Sequence, residues 1–483
     1  MEYPLTAEQH LAVEHFRTGE NLKIEAFAGA GKTSTLIALA KAAAGKGGHY
    51  FAFNRSIADD AWNRFPRSVS TSTVHSVARR FVAQKFGYSK NKLTDNPSAH
   101  HVAHAFQAQP KEEYLLTGNT NCSGREYSSL ILRTCQRFLA SADEEPMPKH
   151  FMRDGKLKAL TPEEFENFAQ TYTPAVQDLW REMQNPNAEI PLGHDGYLKL
   201  WGLAKPSIQK DFILLDEAQD TSDLVLDVLS RQEAQIVYVG DEYQQIYEFR
   251  GAVSAMKKVS CPKTVSLTKS FRFGQQVADA ATLVLAELGC RRRIIGNSTV
   301  LSKVGPHQPN AVLCRSNIGV IDRLLGETEQ GRTVHVLGGT RALISLLLEV
   351  HKLKRGIPSR HPDLFGYVDW NDVLESCESG DCGSLKVLVR LVTRFGEQRI
   401  IDRLKTTKQS EADAHVVVST AHKAKGREWN RVEVASDFDT PYLHSKEDVE
   451  PEESEMRLFY VAMTRSKTHL ALPPNARTYF AIG

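Results

Sequence analysis

The chain has 483 residues, with 60 Lys plus Arg, 58 Asp plus Glu and a formal net charge of +2. This length exceeds a single hydrophobic core, so several structural units are expected. The near-neutral charge excludes a uniformly basic surface, and any polyanion must be bound in a local groove.

The sequence contains no apolar signal segment near its start and no apolar run of membrane-spanning length, so neither secretion nor membrane insertion is expected. The cysteines number 7 and include no CxxC pair. Their odd number argues against a disulfide framework, so we expect free thiols and a reducing, cytoplasmic location.

Strand-like and helix-like segments alternate along the chain in two separate blocks. The strand-like segments of the first block are 22–28, 49–54, 68–73, 212–216 and 236–240. Those of the second block are 265–267, 311–314, 333–337, 416–419, 432–435 and 469–472. Alternation of this kind predicts an α/β protein with two parallel sheets, each covered by helices on both faces.

Each block is interrupted by a mostly helical insert. The predicted division gives a first sheet domain of 1–78 plus 207–263, with a helical insert at 79–206. The second sheet domain comprises 264–340 plus 413–483, with a shorter helical insert at 341–412 that is rich in Leu, Lys and Arg.

The sequence AFAGAGKT at 26–33 predicts a phosphate-binding turn between the first strand and the following helix. In such a turn, backbone N–H groups and the positive helix end bind phosphates. Lys32 would reach the β/γ oxygens and Thr33 would hold Mg²⁺. Ala26 stands where the motif usually has Gly, and the alternative is an ordinary glycine-containing loop. The residues assigned to the nucleotide are Ala28, Gly29, Ala30, Gly31, Lys32, Thr33 and Ser34.

Two carboxylates follow the apolar strand at 212–215. Its uninterrupted apolar character suits a fully buried parallel strand, and Asp216 and Glu217 then lie at the carboxyl edge of the sheet. There Asp216 can hold Mg²⁺, and Glu217 can polarise the water that attacks the γ-phosphate. The alternative is a solvated acidic turn.

Several segments in order resemble the motif series of UvrD/Rep/PcrA-type superfamily 1A DNA helicases. They are AFAGAGKT at 26–33, DEAQD at 216–220, GDEYQQIYEFRGA at 240–252 and RLFYVAMTR at 457–465. The resemblance spans 5–465, and the segments 53–58 and 73–76 further resemble the F-box helicase branch. It implies two RecA-like domains with ATP in the cleft between them and inserted helical subdomains that contact DNA.

The resemblance also assigns nucleotide contacts outside the phosphate-binding turn. Gln9 carries an amide that pairs a donor with an acceptor, as reading an adenine edge requires. Phe271 stands where the family has an aromatic that stacks on the base, and Glu428 resembles the glutamate that bonds the ribose. Arg427 replaces the family's usual aliphatic residue and puts a charge beside the site.

Three more residues are implied in the chemistry, together with Lys32 and Glu217. Arg272 would be a γ-phosphate ligand supplied by the second domain. Arg465 is the candidate arginine finger, because a fixed guanidinium neutralises charge on the transferring phosphoryl group. Gln244 lies between nucleotide and DNA in the family and would sense the γ-phosphate. The alternative for either arginine is solvation at the surface.

A strand-binding set follows from the same resemblance. Tyr247 and Phe249 offer flat faces on which successive bases stack, at about 1–3 kcal/mol per base. The alternative is that these two aromatics belong to the core. His75, Arg250 and His422 are the matched polar groups around the strand, and phosphate contacts of this kind weaken with salt.

The sequence therefore predicts an ATP- and Mg²⁺-dependent motor on single-stranded DNA that also engages tailed or forked duplexes, with 3′ to 5′ polarity implied by the resemblance. The second insert is far shorter than its counterpart in UvrD-like enzymes, which leaves open the duplex engagement and regulation assigned to that subdomain. The alternative is a DNA-gated ATPase switch in a recombination, toxin–antitoxin or phage-defence complex, with little unwinding alone.

The remaining predictions concern partners, oligomeric state and a kinase as an alternative activity. A protein partner in a repair or defence complex fits both interpretations, no membrane association is expected, and a monomer would suffice. A small-molecule or protein kinase would use the same phosphate-binding turn. It would not explain a sensor glutamine, a second-domain arginine and stacking aromatics.

Overall fold

A computed structural model of the chain describes residues 4–43, 45–108, 113–117, 120–153, 155–246, 255–359, 361, 364, 366–378, 385–439 and 452–483. The strands of these residues are β1 Leu22–Ala26, β2 Gly48–Phe51, β3 Val69–Ser72, β4 Glu113–Thr117, β5 Thr120–Ser123, β6 Phe212–Leu215, β7 Gln235–Gly240, β8 Lys263–Leu267, β9 Lys303–Val304, β10 Ala311–Cys314, β11 Val334–Val336, β12 Val416–Thr420, β13 Trp429–Val434 and β14 Ser466–Ala471.

Helices connect these strands and form the two inserts. They are α1 Ala7–Arg17, α2 Lys32–Ala42, α3 Arg55–Trp62, α4 Val74–Phe86, α5 Lys90–Thr94, α6 Ala99–Ala105, α7 Gly124–Ala140, α8 Pro162–Gln184, α9 Gly193–Leu203, α10 Asp223–Ser230, α11 Ala255–Lys258, α12 Gln275–Glu287, α13 Asn317–Glu329, α14 Arg341–Leu353, α15 Trp370–Glu378, α16 Leu385–Phe395, α17 Glu397–Lys405, α18 Ala421–Ala424, α19 Glu453–Met463 and α20 Pro474–Tyr479.

The first sheet has the strand order β3-β2-β6-β7-β1-β8, and all of its neighbours are parallel. Its edge strand β8 was expected in the second block, and that prediction is wrong. Leu22 to Ala26 of β1 pair in register with Lys263 to Leu267, so β8 extends the first sheet.

Strand β6 explains why this sheet needs cover on both faces. All four of its residues are buried, and successive side chains of a strand point to opposite faces. Phe212 and Leu214 belong to the core formed with the nearby helices α1 and α2, whereas Ile213 and Leu215 belong to the core shared with the first insert.

The second sheet has the order β11-β12-β10-β13-β14-β9 and is also parallel throughout. Helices α12 and α19 belong to the core on one of its faces, and helices α13, α14 and α17 belong to the core on the other. The predicted fold class, two parallel α/β sheets with inserted helical segments, is confirmed. The four domain limits remain predictions.

The predicted first insert, which holds helices α5 to α9 and most of α4, also contains an antiparallel hairpin of β4 and β5 that the sequence did not predict. Lys199 on α9 is fully buried there, and its ammonium donates to the carbonyl oxygens of Phe138, Ser141 and Asp143 at 3.0, 2.8 and 2.5 Å. It thereby adds a donor to carbonyls at and just beyond the end of α7, where the last carbonyls of a helix have no partner within the helix.

Two further observations concern the expectations from composition. Within the described residues, no helix is both long enough and apolar enough to cross a membrane. Cys122, Cys135, Cys261, Cys290 and Cys314 carry free thiols. Cys377 is disulfide-bonded, so the expectation of free thiols is wrong at that position.

Candidate active site

The phosphate-binding turn lies at the carboxyl end of β1, and α2 begins at Lys32. Gly29 and Gly31 have φ values of +73° and +77°, which glycine adopts without strain. A Cβ at Gly29 would lie 2.6 Å from Ser270 Oγ and 2.7 Å from Arg272 Cβ. Only glycine therefore fits, and the segment that carries Arg272 packs directly on the turn.

The first carboxylate, Asp216, is buried at the end of β6. Its Oδ2 accepts hydrogen bonds from the Tyr50 hydroxyl at 2.7 Å and from Thr33 Oγ1 at 3.5 Å. Burial, with the adjacent Glu217 charge, raises the pKa of Asp216. Thr33 and Asp216 thus present two oxygen ligands side by side at the start of α2.

The second carboxylate, Glu217, has a φ of +52°, which is uncommon for a residue other than glycine. Its oxygens lie 3.4 Å from Lys32 Nζ and 2.5 Å from Gln219 Nε2. Burial opposes ionisation of Glu217, but Lys32, Lys425 and the Gln219 hydrogen bond outweigh it and hold its pKa below the usual value. Glu217 is therefore an ionised carboxylate at neutral pH, held in one orientation.

Gln244 joins the two domains through its side-chain amide. Its Nε2 donates to Asp241 Oδ2 at 2.6 Å, and its Oε1 accepts from Arg465 Nη2 at 2.9 Å. Arg465 is only 2% exposed. Burial and the nearby Arg272 guanidinium lower the pKa of Arg465 to about 9, so it stays cationic at neutral pH.

The second arginine, Arg272, lies on the segment that follows β8. Its Nε donates to Glu428 Oε2 at 2.7 Å and its Nη1 to the Thr464 carbonyl at 2.8 Å. Glu428 Oε1 also forms an ion pair with Lys467 Nζ at 2.7 Å. Burial opposes ionisation of Glu428, but these two cations lower its pKa. The structure therefore brings Glu428 to Arg272.

The residues assigned to the adenine lie beside the turn. Gln9 is buried, with Nε2 donating to Thr35 Oγ1 at 2.9 Å and Oε1 accepting from the Thr6 N–H at 3.0 Å. The Phe271 ring is 38% exposed, and a Cβ at Gly31 would lie 3.3 Å from its Cε2. Phe271 is therefore a partly exposed ring next to the turn, with the Lys269 ammonium 5.9 Å from its centroid.

Three other assigned residues are distributed over the two domains. Ser34 is exposed on the first turn of α2. His75 is exposed on α4 and lies 3.8 Å from Asp195 Oδ1. His422 lies on the short helix α18 in the second domain, so His75 and His422 are on different domains. The assigned residues Tyr247, Phe249 and Arg250 lie outside the described part of the chain.

Several residues that complete the site were missed at the level of sequence. Tyr50 contacts Asp216, and Gln219 contacts Glu217. Asp241 could have been found, because it directly follows β7 as Asp216 follows β6. Tyr460 gave no local signal, yet its hydroxyl accepts from the Ala28 N–H at 3.3 Å and donates to Asp241 Oδ2 at 3.2 Å.

The charge introduced by Arg427 finds its partner outside the cleft. Arg427 Nη1 lies 3.1 Å from Glu411 Oε2, and the Trp429 indole N–H donates to the other oxygen of Glu411. Glu411 belongs to a short 3-10 helix just before β12, at the end of the predicted second insert. Arg427 therefore points toward that connection.

Taken together, these groups fit a nucleoside triphosphate with a divalent cation. The turn has glycines at its two positions of positive φ, and Lys32 and Thr33 follow it at the start of α2. Thr33 and Asp216 offer the oxygen ligands that Mg²⁺ prefers. An ionised carboxylate and two guanidinium groups surround the same point, an arrangement suited to phosphoryl transfer to water.

The sequence also matches known families in two places. Residues 54–257 match the UvrD/REP helicase N-terminal domain, and residues 394–475 match the UvrD-like helicase C-terminal domain. Together with the two parallel sheets and the cleft between them, these matches show that the chain belongs to the UvrD-like helicase family.

Within that family it is similar to proteins named for an F-box. The chain is 30% identical over 525 residues to F-box DNA helicase 1 of Gallus gallus, a match that covers 100% of this chain and 50% of the relative. It is 30% identical over 520 residues to F-box DNA helicase protein 1 of Schizosaccharomyces pombe, with 99% and 58% covered. The chain thus spans only about half the length of these curated relatives.

One solved structure, the structure of PRRSV helicase, aligns with 98% of this chain and 56% of that chain. The two chains are 12% identical, and the TM-score of the alignment is 0.32.

Proposed function

We propose that the chain is an ATP-dependent DNA helicase that translocates 3′ to 5′ on single-stranded DNA. The observation that carries the proposal is a hydrogen bond from a buried guanidinium across the cleft. Arg465 of the second domain donates to Gln244 of the first, beside the Lys32–Glu217 pair. A site divided between two domains works only when they close, which ties hydrolysis to domain movement.

Each side chain then has a role in ATP hydrolysis. Lys32 binds the phosphate oxygens, and the ionised Glu217 orients the attacking water and accepts its proton. Arg465 and Arg272 neutralise the charge that develops on the transferring phosphoryl group. Thr33 and Asp216 would hold Mg²⁺, which supplies further neutralisation of the phosphate oxygens when bound.

Nucleotide specificity belongs to the other assigned residues. Phe271 would stack on the base, Gln9 would read its edge, and Glu428 would bond the ribose. In the structure Glu428 binds Arg272 and Lys467, so ribose contact would require the carboxylate to share or exchange these partners.

DNA binding is proposed along a path between the domains. Tyr247 and Phe249 would stack on bases, while His75, Arg250 and His422 would hold the backbone. The net charge of only +2 supports a local groove, in which affinity falls steeply with salt. A cytoplasmic, monomeric protein is part of the same proposal. The free thiols of five described cysteines support the cytoplasmic location, whereas the disulfide at Cys377 opposes it.

Strand displacement tests the proposal. The purified chain is given ATP, Mg²⁺ and duplexes with a 3′ or a 5′ single-stranded tail, in DNA and in RNA. We expect displacement of the DNA duplex with the 3′ tail. Displacement from only the 5′ tail would contradict the polarity, and displacement of only RNA would contradict the substrate.

A second function, a DNA-gated ATPase switch within a larger assembly, is favoured by one observation. The second insert at 341–412 is short, and its described helices α14 to α17 include core residues against the second sheet. The switch predicts ATPase activity stimulated by single-stranded DNA without displacement of either tailed duplex. A protein partner in a repair or defence complex would then supply the mechanical output.

A further inference from the structure

Lys425 is a buried cation that the roles assigned above do not use. It follows α18 in the second domain, and its Nζ contacts Asp220 Oδ2 of the first domain. The same Nζ donates to the Gln244 carbonyl oxygen at 2.7 Å. The side chains of Lys425 and Asp220 are only 4% and 1% exposed. One ammonium thus binds two separate turns of the opposite domain.

Both of these turns carry candidate catalytic residues. Asp220 ends a 3-10 helix whose N-cap is Glu217, and Gln244 ends the 3-10 helix that follows Asp241. Gln219 links the turns, since its Nε2 donates to Glu217 and its Oε1 accepts from the Asp241 N–H at 3.1 Å. A cation that binds both turn ends therefore fixes the spacing between Glu217 and Gln244.

In the sequence of the second domain, Lys425 lies between two other assigned residues. His422, a candidate DNA contact, is on α18. Glu428, the candidate ribose ligand, directly precedes β13. Lys425 Nζ also lies 5.7 Å from the centroid of the Phe53 ring, which belongs to the first domain. A shift of α18 would reach both catalytic turns through this one side chain.

Stability alone gives a weak reason for this ion pair, because desolvation of two charges offsets much of their attraction. Asp220 Oδ1 is buried and has no hydrogen-bond partner among the described residues. Burial raises the pKa of Asp220 to about 6, although Lys425 opposes that shift. The pair thus buries two charges at the contact between the two domains.

We propose that Lys425 is a positioning residue that couples the second domain to hydrolysis by holding the Glu217 and Gln244 turns in register through Asp220 and the Gln244 carbonyl. The inference rests on the proposed ATPase function and deepens it. Lys425 itself touches no reacting atom. Its removal should slow the chemical step when DNA is bound while leaving nucleotide binding nearly intact.

The test compares Lys425→Met, Asp220→Asn and the double variant with the unaltered chain. The control is Lys199→Met, which removes another buried lysine bound to carbonyl oxygens, far along the chain and outside the cleft. The readouts are kcat and KM for ATP at saturating single-stranded DNA, basal ATPase without DNA, and the melting temperature.

We expect kcat with DNA to fall about 10²-fold in Lys425→Met and Asp220→Asn, as for loss of alignment. KM for ATP should change less than roughly threefold, which separates the chemical step from binding. The double variant should be no slower than the slower single variant, because both act through one contact. Lys425→Arg, which keeps the charge, should recover part of kcat. Lys199→Met should lower the melting temperature without this kcat-against-KM split.

Near-normal kcat in Asp220→Asn or Lys425→Met overturns the inference, as does a double variant whose losses multiply. The inference is also overturned if Lys425→Met or Asp220→Asn behaves as expected for Lys199→Met, with a lower melting temperature and no separation between the changes in kcat and in KM. If Lys425→Met does not fold, Asp220→Asn and Lys425→Arg decide alone. ATP turnover of Glu217→Gln is measured in the same experiment. Normal turnover in Glu217→Gln would contradict the proposed ATPase function. Loss of turnover in Glu217→Gln with normal turnover in Lys425→Met would contradict only the inference about Lys425.

Discussion

The two sides of the nucleotide cleft differ in how their polar groups are held. On the first domain, Glu217 binds Lys32 and Gln219, and Asp216 binds Tyr50 and Thr33. These groups are satisfied within one domain.

On the second domain the cations reach across. Arg465 binds Gln244, and Lys425 binds Asp220 and the Gln244 carbonyl. The candidate residues of the first domain are thus held without the second domain, whereas Arg465 and Lys425 of the second domain are held by groups of the first. The difference teaches that binding and turnover should respond separately to changes on the two sides.

The largest expected effect comes from the second side. Arg465→Ala should lower DNA-stimulated ATP turnover by about 10³- to 10⁵-fold, as for removal of an arginine finger. Nucleotide affinity, measured by titration with a fluorescent ATP analogue, should fall much less. Arg465→Lys keeps a charge without the planar fork and should recover little. Normal turnover in Arg465→Ala would remove this residue from the chemistry.

The next effect tests the first side. Glu217→Gln keeps the shape of the side chain but loses the proton-accepting carboxylate, so turnover should fall about 10²- to 10⁴-fold. ATP should still bind, because Lys32 and the turn are intact. Glu329→Gln, an exposed carboxylate on α13, is the matched control and should leave turnover unchanged. Equal loss of ATP binding in Glu217→Gln would contradict the assigned role.

A smaller effect should follow from the hydroxyl that bridges the domains. Tyr460→Phe removes the partner of the Ala28 N–H and one donor to Asp241. Leaving buried polar groups unpaired costs about 1–3 kcal/mol. Calorimetry should show a lower melting temperature, and ATP turnover should fall only modestly. An unchanged melting temperature would mean that these two hydrogen bonds do not hold the domains together.

The smallest effect concerns the departure at Arg427. The Arg427 side chain is 54% exposed and that of Glu411 is 37% exposed, so their ion pair is worth about 0–1 kcal/mol. Arg427→Leu, which restores the family's aliphatic residue, should therefore leave stability and KM for ATP nearly unchanged. A severalfold rise in KM would instead show that the Glu411 connection controls the position of Glu428.

The sequence predicts which residues of the first domain lie near one another, for a physical reason. Lys32 and Thr33 are adjacent in the chain, as are Asp216 and Glu217, and each pair follows a buried strand. Strand ends in a parallel sheet gather at one edge, so local patterns fix their neighbourhood. The family resemblance added Gln244, Arg272 and Arg465, whose contacts join distant parts of the chain.

Other features had no local signal. Tyr460 and Lys425 act through partners more than 180 residues away in sequence, as the contacts with Asp241 and Gln244 show. Strand β8 was placed with the wrong sheet because the alternation pattern gives strand positions but not pairing partners. The β4–β5 hairpin was hidden inside a segment whose composition favours helices.

The placement of β8 has a mechanical consequence. Every described strand of the first sheet ends by Leu267 and every described strand of the second begins later, so among these strands the chain passes from the first sheet to the second once, after β8. There the Phe27 N–H donates to the Leu267 carbonyl at 3.1 Å, and the Phe271 N–H donates to the Gly29 carbonyl at 2.8 Å. The connection between the sheets and the phosphate-binding turn are therefore joined directly by backbone hydrogen bonds, so a displacement of the turn would be transmitted to that connection without a side chain between them.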